Sequence, residues 1–112
     1  MQIELLKVPD CPGADIAYNR LRDVLDQLGV GDTIRTIEIA TDEQARRLCF
    51  PGSPTLRING RDVDPYIDRT AEYAVACRLY TSGGLADNAP SVTAIRRSVT
   101  DALKCSHSKG DA

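Results

Sequence analysis

The stretch that decides the fold is residues 2–14, QIELLKVPDCPGA. Residues 2–8 form an apolar run that ends at a proline, a pattern typical of a short buried strand. The turn residues DCPG follow at positions 10–13. A helix is predicted from about Ala14 to Leu28, because apolar residues recur there at the spacing of one helical face: Ala17, Leu21, Val24, Leu25 and Leu28. The chain therefore opens with a strand that leads through a cysteine-bearing turn into a helix.

The next residues repeat this alternation of strand and helix. Residues 33–40, TIRTIEIA, are rich in β-branched side chains at alternating positions, which favours a second strand. The sequence TDEQ at residues 41–44 matches a capping box and predicts the start of a second helix, which ends near Cys49. The proline-rich stretch 50–54 then interrupts the helix.

The second half of the chain predicts antiparallel strands. Residues 55–59 alternate as a strand, and the Asn-Gly pair at 59–60 is a strong hairpin signal. Residues 77–81 predict a last strand that runs antiparallel to the strand at 55–59. The pattern leaves residues 66–76 open between a loop and a short helix.

A last helix begins at Ser91 as its N-cap, with an apolar face formed by Val92, Ile95, Val99 and Leu103. The predicted order is β-α-β-α-β-β-α. Its first half is a βαβ unit with parallel strands. We therefore expect an α/β fold, a four-stranded mixed sheet with helices on both faces, in one domain over residues 1–104. Residues 105–112 are expected to form a flexible tail.

Composition narrows the function classes. The chain has 112 residues, enough for one domain, and 14 basic against 16 acidic residues give it a net charge of −2. No apolar run approaches the length of a membrane helix. The chain lacks the excess of basic residues that is typical of nucleic-acid-binding proteins. We therefore expect neither a membrane nor a nucleic acid as a partner.

The four cysteines stand at positions 11, 49, 77 and 105, and no two of them form a C-x-x-C pair. The first residues do not have the pattern of a signal peptide, so we expect a cytoplasmic protein without a disulfide framework. A zinc site is not predicted either, because its ligands come in closely spaced pairs. Asp62 and Asp64 are a weak metal signal, because two carboxylates alone do not make a site. No metal and no cofactor are expected.

Two motifs resemble the thioredoxin family. The first is VPDCPGA at residues 8–14, and the second is GSPT at residues 52–55, which resembles the family's cis-proline loop. The stretches FPGSPTLRINGRDVDP, residues 50–65, and CRLY, residues 77–80, are similar to a subgroup of small bacterial thioredoxin-like proteins, some labelled alkylmercury lyase-like. The resemblance implies a thioredoxin-like fold, Cys11 as the attacking thiol and a cis peptide bond before Pro54. The chain departs from the family at Ala14, where thioredoxins carry their second cysteine.

The chemistry expected of Cys11 follows from its place before a helix. Free N–H groups and the helix dipole at that position favour a thiolate, whereas Asp10 and Asp15 oppose it. The backbone of Ser53 is expected to pair with an extended peptide or with glutathione. The expected substrate-binding residues are Pro12, Gly13, Ser53, Pro54 and Thr55. The alternative interpretation of Cys11 is an inert buried residue.

A thiol that resolves the mixed disulfide is not evident. Cys49 and Cys77 are candidate partners, although packing is the better interpretation of each. Without an internal partner, an external thiol such as glutathione must resolve Cys11. The sequence thus predicts thiol–disulfide exchange or thiol capture by a single-cysteine mechanism, an oxidoreductase activity if the protein is an enzyme. Its partner would be a protein disulfide or a low-molecular-weight thiol.

Two other functions stay open. The absence of a second cysteine at position 14 favours a non-catalytic thioredoxin-fold module that binds a partner or forms a homodimer. Soft-metal or organomercurial chemistry is the other, because soft cations prefer thiolates. That chemistry would need Cys11 close to Cys49 or Cys77. The fold does not decide among the three functions.

Overall fold

The computed structural model describes residues 1–64, 73–76, 78–82 and 85–110, and the side chains of all of these except 82, 85 and 105–110. The predicted strand residue Cys77 and most of the undecided segment 66–76 lie outside the described residues. The elements are β1 (Ile3–Lys7), α1 (Pro12–Gln27), β2 (Ile34–Glu38), α2 (Asp42–Arg47), β3 (Thr55–Ile58), β4 (Arg61–Asp62), β5 (Tyr80–Ser82), β6 (Leu85–Asp87) and α3 (Val92–Gly110).

The main sheet has four strands in the order β2-β1-β3-β4. β1 runs parallel to β2, with Ile3 opposite Ile34, as a βαβ crossover requires. β3 runs antiparallel to β1, with Leu6 opposite Thr55, and β4 runs antiparallel to β3. The predicted mixed sheet of four strands is therefore confirmed, and β1 lies inside it.

Two apolar clusters cover the two faces of this sheet. Successive residues of a strand point to opposite faces, so Leu5 joins one cluster and Leu6 the other. The first cluster packs α1 and α3 against the sheet through residues such as Leu21 and Ile95. The second brings together Leu6, Val8, Cys11, Ala14, Ile39, Ala45 and Phe50, and it includes the α2 side of the molecule. Helices thus lie on both faces, as predicted.

Local signals set the turns and helix ends. Thr41 caps α2 with the predicted capping box, in which its side chain accepts from the Gln44 amide at 3.1 Å. Asn59 and Gly60 have φ angles of 52° and 80°, which a tight hairpin between β3 and β4 requires. Ser91 accepts from the Ala94 amide at 3.1 Å at the start of α3. That helix continues to Gly110, past the predicted start of the tail at 105, whose flexibility stays a prediction.

The prediction that the strand at residues 77–81 pairs with the strand at 55–59 is wrong. The strand there, β5, pairs with β6 in a separate two-stranded sheet, Tyr80 opposite Asp87, and not with β3. Besides β1, the antiparallel neighbour of β3 is β4, because the Asn-Gly turn returns the chain at once. β6 itself has no counterpart in the predicted order, since three residues are too few to show an alternating pattern.

None of the helices in the described part of the chain is both long and apolar enough to cross a membrane.

Candidate functional site

Cys11 lies directly before α1, as its N-cap residue, with an extended backbone. Its residue is 8% exposed and belongs to the second apolar cluster, together with Val8 and Phe50. Its side chain makes no capping hydrogen bond, so the sulfur does not hold a helix amide. Pro12 at the first helical position has no N–H that would need a partner. The thiol is therefore nearly buried at the positive end of a helix.

The loop of residues 52–55 lies at the same end of the sheet. The Ser53–Pro54 peptide bond is cis, which confirms the expectation for Pro54. The hydroxyl of Ser53 accepts from the Val8 amide at 3.0 Å and so joins the loop to the end of β1. The hydroxyl of Thr55 donates to the carbonyl of Gly52 at 2.6 Å. Because Cys11 follows Val8 by three residues, the cysteine and the cis-proline loop share this end of the sheet.

The backbone of Ser53, the expected peptide-binding edge, is already paired within the chain. Its amide donates to the carbonyl of Ala76 at 2.8 Å, and its carbonyl accepts from the amide of Arg78 at 2.9 Å. This is the pattern of a parallel strand pair. We call residues 73–76 and 78–80 the covering segment. Tyr73 packs against the apolar cluster that contains Cys11.

Arg78 anchors one end of the covering segment. Its guanidinium donates to Asp62 at 2.7 and 3.2 Å, to Asp64 at 3.3 Å and to the Thr55 hydroxyl at 3.2 Å. It also lies over the ring of Tyr80, 4.3 Å from the centroid, an arrangement that favours a cation. The side chains of Arg78 and Asp62 are 8% and 9% exposed. Burial lowers the pKa of Arg78, but the hydrogen bond to Asp62 and the nearby negative charges more than offset it, so the pKa is raised.

Tyr80 adds a contact to the cis-proline loop itself, because its hydroxyl donates to the carbonyl of Pro54. Burial raises the pKa of the Tyr80 phenol, so the hydroxyl keeps the proton that this bond needs. Gly52 lies so close to Arg78 that a Cβ on the glycine would come within 2.8 Å of the arginine Cβ. The loop and the covering segment therefore pack backbone to backbone.

The other side of the site is closed by the residues after β6. A Cβ on Gly13 would lie 2.3 Å from the carbonyl oxygen of Asn88, so the chain itself fills the space over this expected substrate-binding residue. Arg20 holds that stretch on α1 by donating to the Asp87 carboxylate at 2.9 Å and the Pro90 carbonyl at 3.0 Å. The hydrogen bond from Arg20 lowers the pKa of Asp87. Pro12 alone among the expected binding residues is exposed.

The other thiols do not join Cys11 in the part of the chain that is described. Cys11 and Cys49 are both free, and Cys49 is exposed. Cys49 has a φ of 52° at the end of the helical turn, and the next residue, Phe50, enters the apolar cluster instead. Cys77 lies outside the described residues. Among the described residues, no group of three metal-ligating side chains is positioned to hold an ion.

The acidic pair near the hairpin has a structural role that its sequence pattern did not indicate. Asp62 and Asp64 both bind Arg78, so the weak metal signal reports an ion-pair network. No local pattern marks Arg78, since the hydrogen-bond partners of its guanidinium lie between 14 and 23 residues earlier in the chain. The sequence drew attention only to the two acids, because nothing near Arg78 in the chain shows that it is buried beside them.

A cavity of about 460 Å³ lies at the opposite end of the sheet, between the β3–β4 hairpin and α3. Ile58 and Val63 contribute to its floor, and Arg61, Arg97 and Asp101 are exposed around it. Ile58 pairs with Ile3, at the start of β1, whereas Cys11 follows the end of that strand. The cavity and the cysteine are therefore separate features.

Comparison of the chain with protein-family models, with curated proteins and with solved structures finds no match to any of the three.

Proposed function

We propose that the protein has a thioredoxin-like fold and acts through Cys11 in thiol–disulfide exchange by a single-cysteine mechanism. The observation that carries the proposal is the position of Cys11 at the N-cap of α1, at the sheet end where the Ser53 hydroxyl accepts from the Val8 amide. Backbone N–H groups at a helix N-terminus favour an anion, and a thiolate is the reactive form of cysteine. The mixed sheet with helices on both faces is compatible with that fold.

The reaction balances with one external thiol. The Cys11 thiolate attacks a disulfide RS–SR, so that a Cys11–S–SR bond forms and an RS⁻ thiolate leaves. A second thiolate R′S⁻ then attacks the substrate sulfur and releases Cys11 as a thiolate together with RS–SR′. An external resolving thiol is required by this scheme because Ala14 replaces the second cysteine of the family motif. Glutathione is the thiol that we expect in a reducing cytoplasm.

A second candidate is a non-catalytic module on the same scaffold. The observation that favours it is the closure of the site, since Cys11 is 8% exposed and the backbone of Ser53 is paired with the covering segment. Buried cysteines are often inert packing residues. The two candidates differ in one property, the reactivity of the Cys11 sulfur in the folded protein.

The deciding experiment is alkylation of the native protein with iodoacetamide at neutral pH, followed by mass spectrometry of the peptides. The exposed Cys49 supplies an internal reference within the same molecule. If Cys11 is a poised nucleophile, it should be modified at least as fast as Cys49 despite its burial. Cys11→Ser is the control that assigns the fast modification.

Modification of Cys11 about tenfold or more slowly than Cys49, becoming equal only in urea, would contradict the exchange function. It would favour the binding module. The soft-metal alternative requires a second sulfur beside Cys11, and Cys49 does not provide one that is buried with it.

A further inference from the structure

We infer that Cys11 exchanges with small disulfides rather than with the disulfides of extended polypeptides, because the covering segment occupies the edge on which an extended peptide would pair. This inference rests on the proposed function, and it names the substrate class of the same site.

The Ser53 backbone has no free group with which an extended peptide could pair. An extended peptide binds beside a strand by using a free backbone donor and a free acceptor on the protein. At Ser53 both groups are engaged, the amide with Ala76 at 2.8 Å and the carbonyl with Arg78 at 2.9 Å. The residue is 1% exposed. A peptide could therefore pair at Ser53 only after the covering segment had left.

The covering segment is held from both ends. Arg78 is fixed by Asp62 and Asp64, and Tyr80 donates to Pro54. At the other end the amide of Val75 donates to the exposed carboxylate of Asp42 at 2.9 Å. These contacts lie on both sides of the residues that pair with Ser53. The folded chain therefore keeps the Ser53 backbone covered.

The chain also fills the α1 side of Cys11. On the α1 side the Asn88 carbonyl fills the space over Gly13, and Arg20 holds that stretch in place. In the described part of the chain no buried side-chain polar atom lacks a hydrogen-bond partner. A compact disulfide needs only access to the sulfur.

The test compares three disulfides of increasing size on the native protein: bis(2-hydroxyethyl) disulfide, oxidised glutathione and insulin. For each probe, mass spectrometry gives the rate of mixed-disulfide formation at Cys11 relative to that at Cys49. The exposed Cys49 corrects for the intrinsic reactivity of the probe. We expect the Cys11/Cys49 ratio to fall at least tenfold from the hydroxyethyl probe to insulin, with glutathione between them.

Variants then test whether the covering segment causes this selectivity. Asp42→Ala removes the acceptor of the Val75 amide, and Glu43→Ala removes a neighbouring charge in the same helical turn that instead pairs with Arg47. Loss of one hydrogen bond that contributes about 1 kcal/mol makes the population of molecules with a detached covering segment roughly fivefold larger. Asp42→Ala should therefore raise the insulin ratio about fivefold and leave the hydroxyethyl ratio within twofold, whereas Glu43→Ala should change neither. Asp62→Asn, which weakens the other anchor, should raise the insulin ratio further.

The failure of this inference differs from the failure of the proposed function. If the Cys11/Cys49 ratio is the same for insulin as for the hydroxyethyl probe, or if neither Asp42→Ala nor Asp62→Asn raises the insulin ratio, the assigned substrate class is wrong while exchange at Cys11 stands. If the hydroxyethyl probe modifies Cys49 but not Cys11, the exchange function itself fails.

Discussion

Two carboxylates hold the same covering segment in opposite surroundings. Asp62 is 9% exposed and accepts two hydrogen bonds from the Arg78 guanidinium, at 2.7 and 3.2 Å. Asp42 lies on the surface and accepts one bond, at 2.9 Å, from the backbone amide of Val75. The bond lengths are similar, so distance does not distinguish the two anchors.

The two anchors differ in whether water can hydrate the groups that remain after the bond is broken. When the bond at Asp42 breaks, water hydrates both groups, and the net cost is small. When a partner of the Asp62–Arg78 pair is removed, the other charge stays in a place from which water is largely excluded. We therefore expect residues 78–80 to be the more firmly held end of the segment and residues 73–76 to open first.

The largest effect is expected at the buried anchor. Asp62→Asn removes the charge that Arg78 faces, and breaking a buried pair costs about 3–5 kcal/mol, of which Asp64 recovers a part. We expect the free energy of unfolding in urea to fall by about 3 kcal/mol. Asp23→Asn, the same change at an exposed position of α1, is the control and should have almost no effect. A loss below about 1 kcal/mol at Asp62 would show that the buried network does not fix the segment.

The next effect is expected where the loop and the segment touch. In Gly52→Ala the new Cβ would lie 2.8 Å from the Cβ of Arg78, and the φ of 137° disfavours any side chain. Overpacking of this kind costs about 1–3 kcal/mol, and urea unfolding measures it. Gly31→Ala has open space around its Cβ and should be close to neutral. Equal stabilities of the two variants would contradict the close packing of loop and segment.

The smallest effect is expected at the exposed anchor. Asp42→Ala should lower the free energy of unfolding by less than about 1 kcal/mol, because it removes one solvated bond and one charge at the start of α2. Its effect should instead appear as faster hydrogen exchange of the Val75 and Arg78 amides. Glu43→Ala is the matched control. If Asp42→Ala destabilises the chain as much as Asp62→Asn, the two anchors are equivalent and the comparison fails.

Short-range patterns predicted much of the fold. The capping box at Thr41 and the Asn-Gly turn at 59–60 are each complete within four residues, so the sequence displays all of their partners. The apolar run at residues 2–8 likewise predicted a buried strand, and its adjacent residues Leu5 and Leu6 enter opposite faces of the sheet. The cis bond at Pro54 was expected only from a resemblance, because local sequence barely distinguishes cis from trans proline.

The pairing of the later strands could not be predicted in the same way. Tyr80 bonds to Pro54, which is 26 residues earlier, and β5 and β6 have three residues each. Strands that short carry no clear period, so the pattern at residues 77–81 predicted a strand but assigned it the wrong neighbour. Arg78 could not be identified as an anchor, because a charged residue between apolar ones is normally taken as exposed.

The amino-acid sequence by itself determined the alternation of strands and helices, the start of α1 at the Cys11 turn and the hairpin after β3, because each depends on contacts between near neighbours. Only the tertiary structure decided that the backbone of Ser53 is paired, that Gly13 faces Asn88 and that Asp62 buries its charge against Arg78. The physical reason is that burial and hydrogen-bond pairing between distant segments depend on how the chain packs. They decide which groups of the site a substrate can reach.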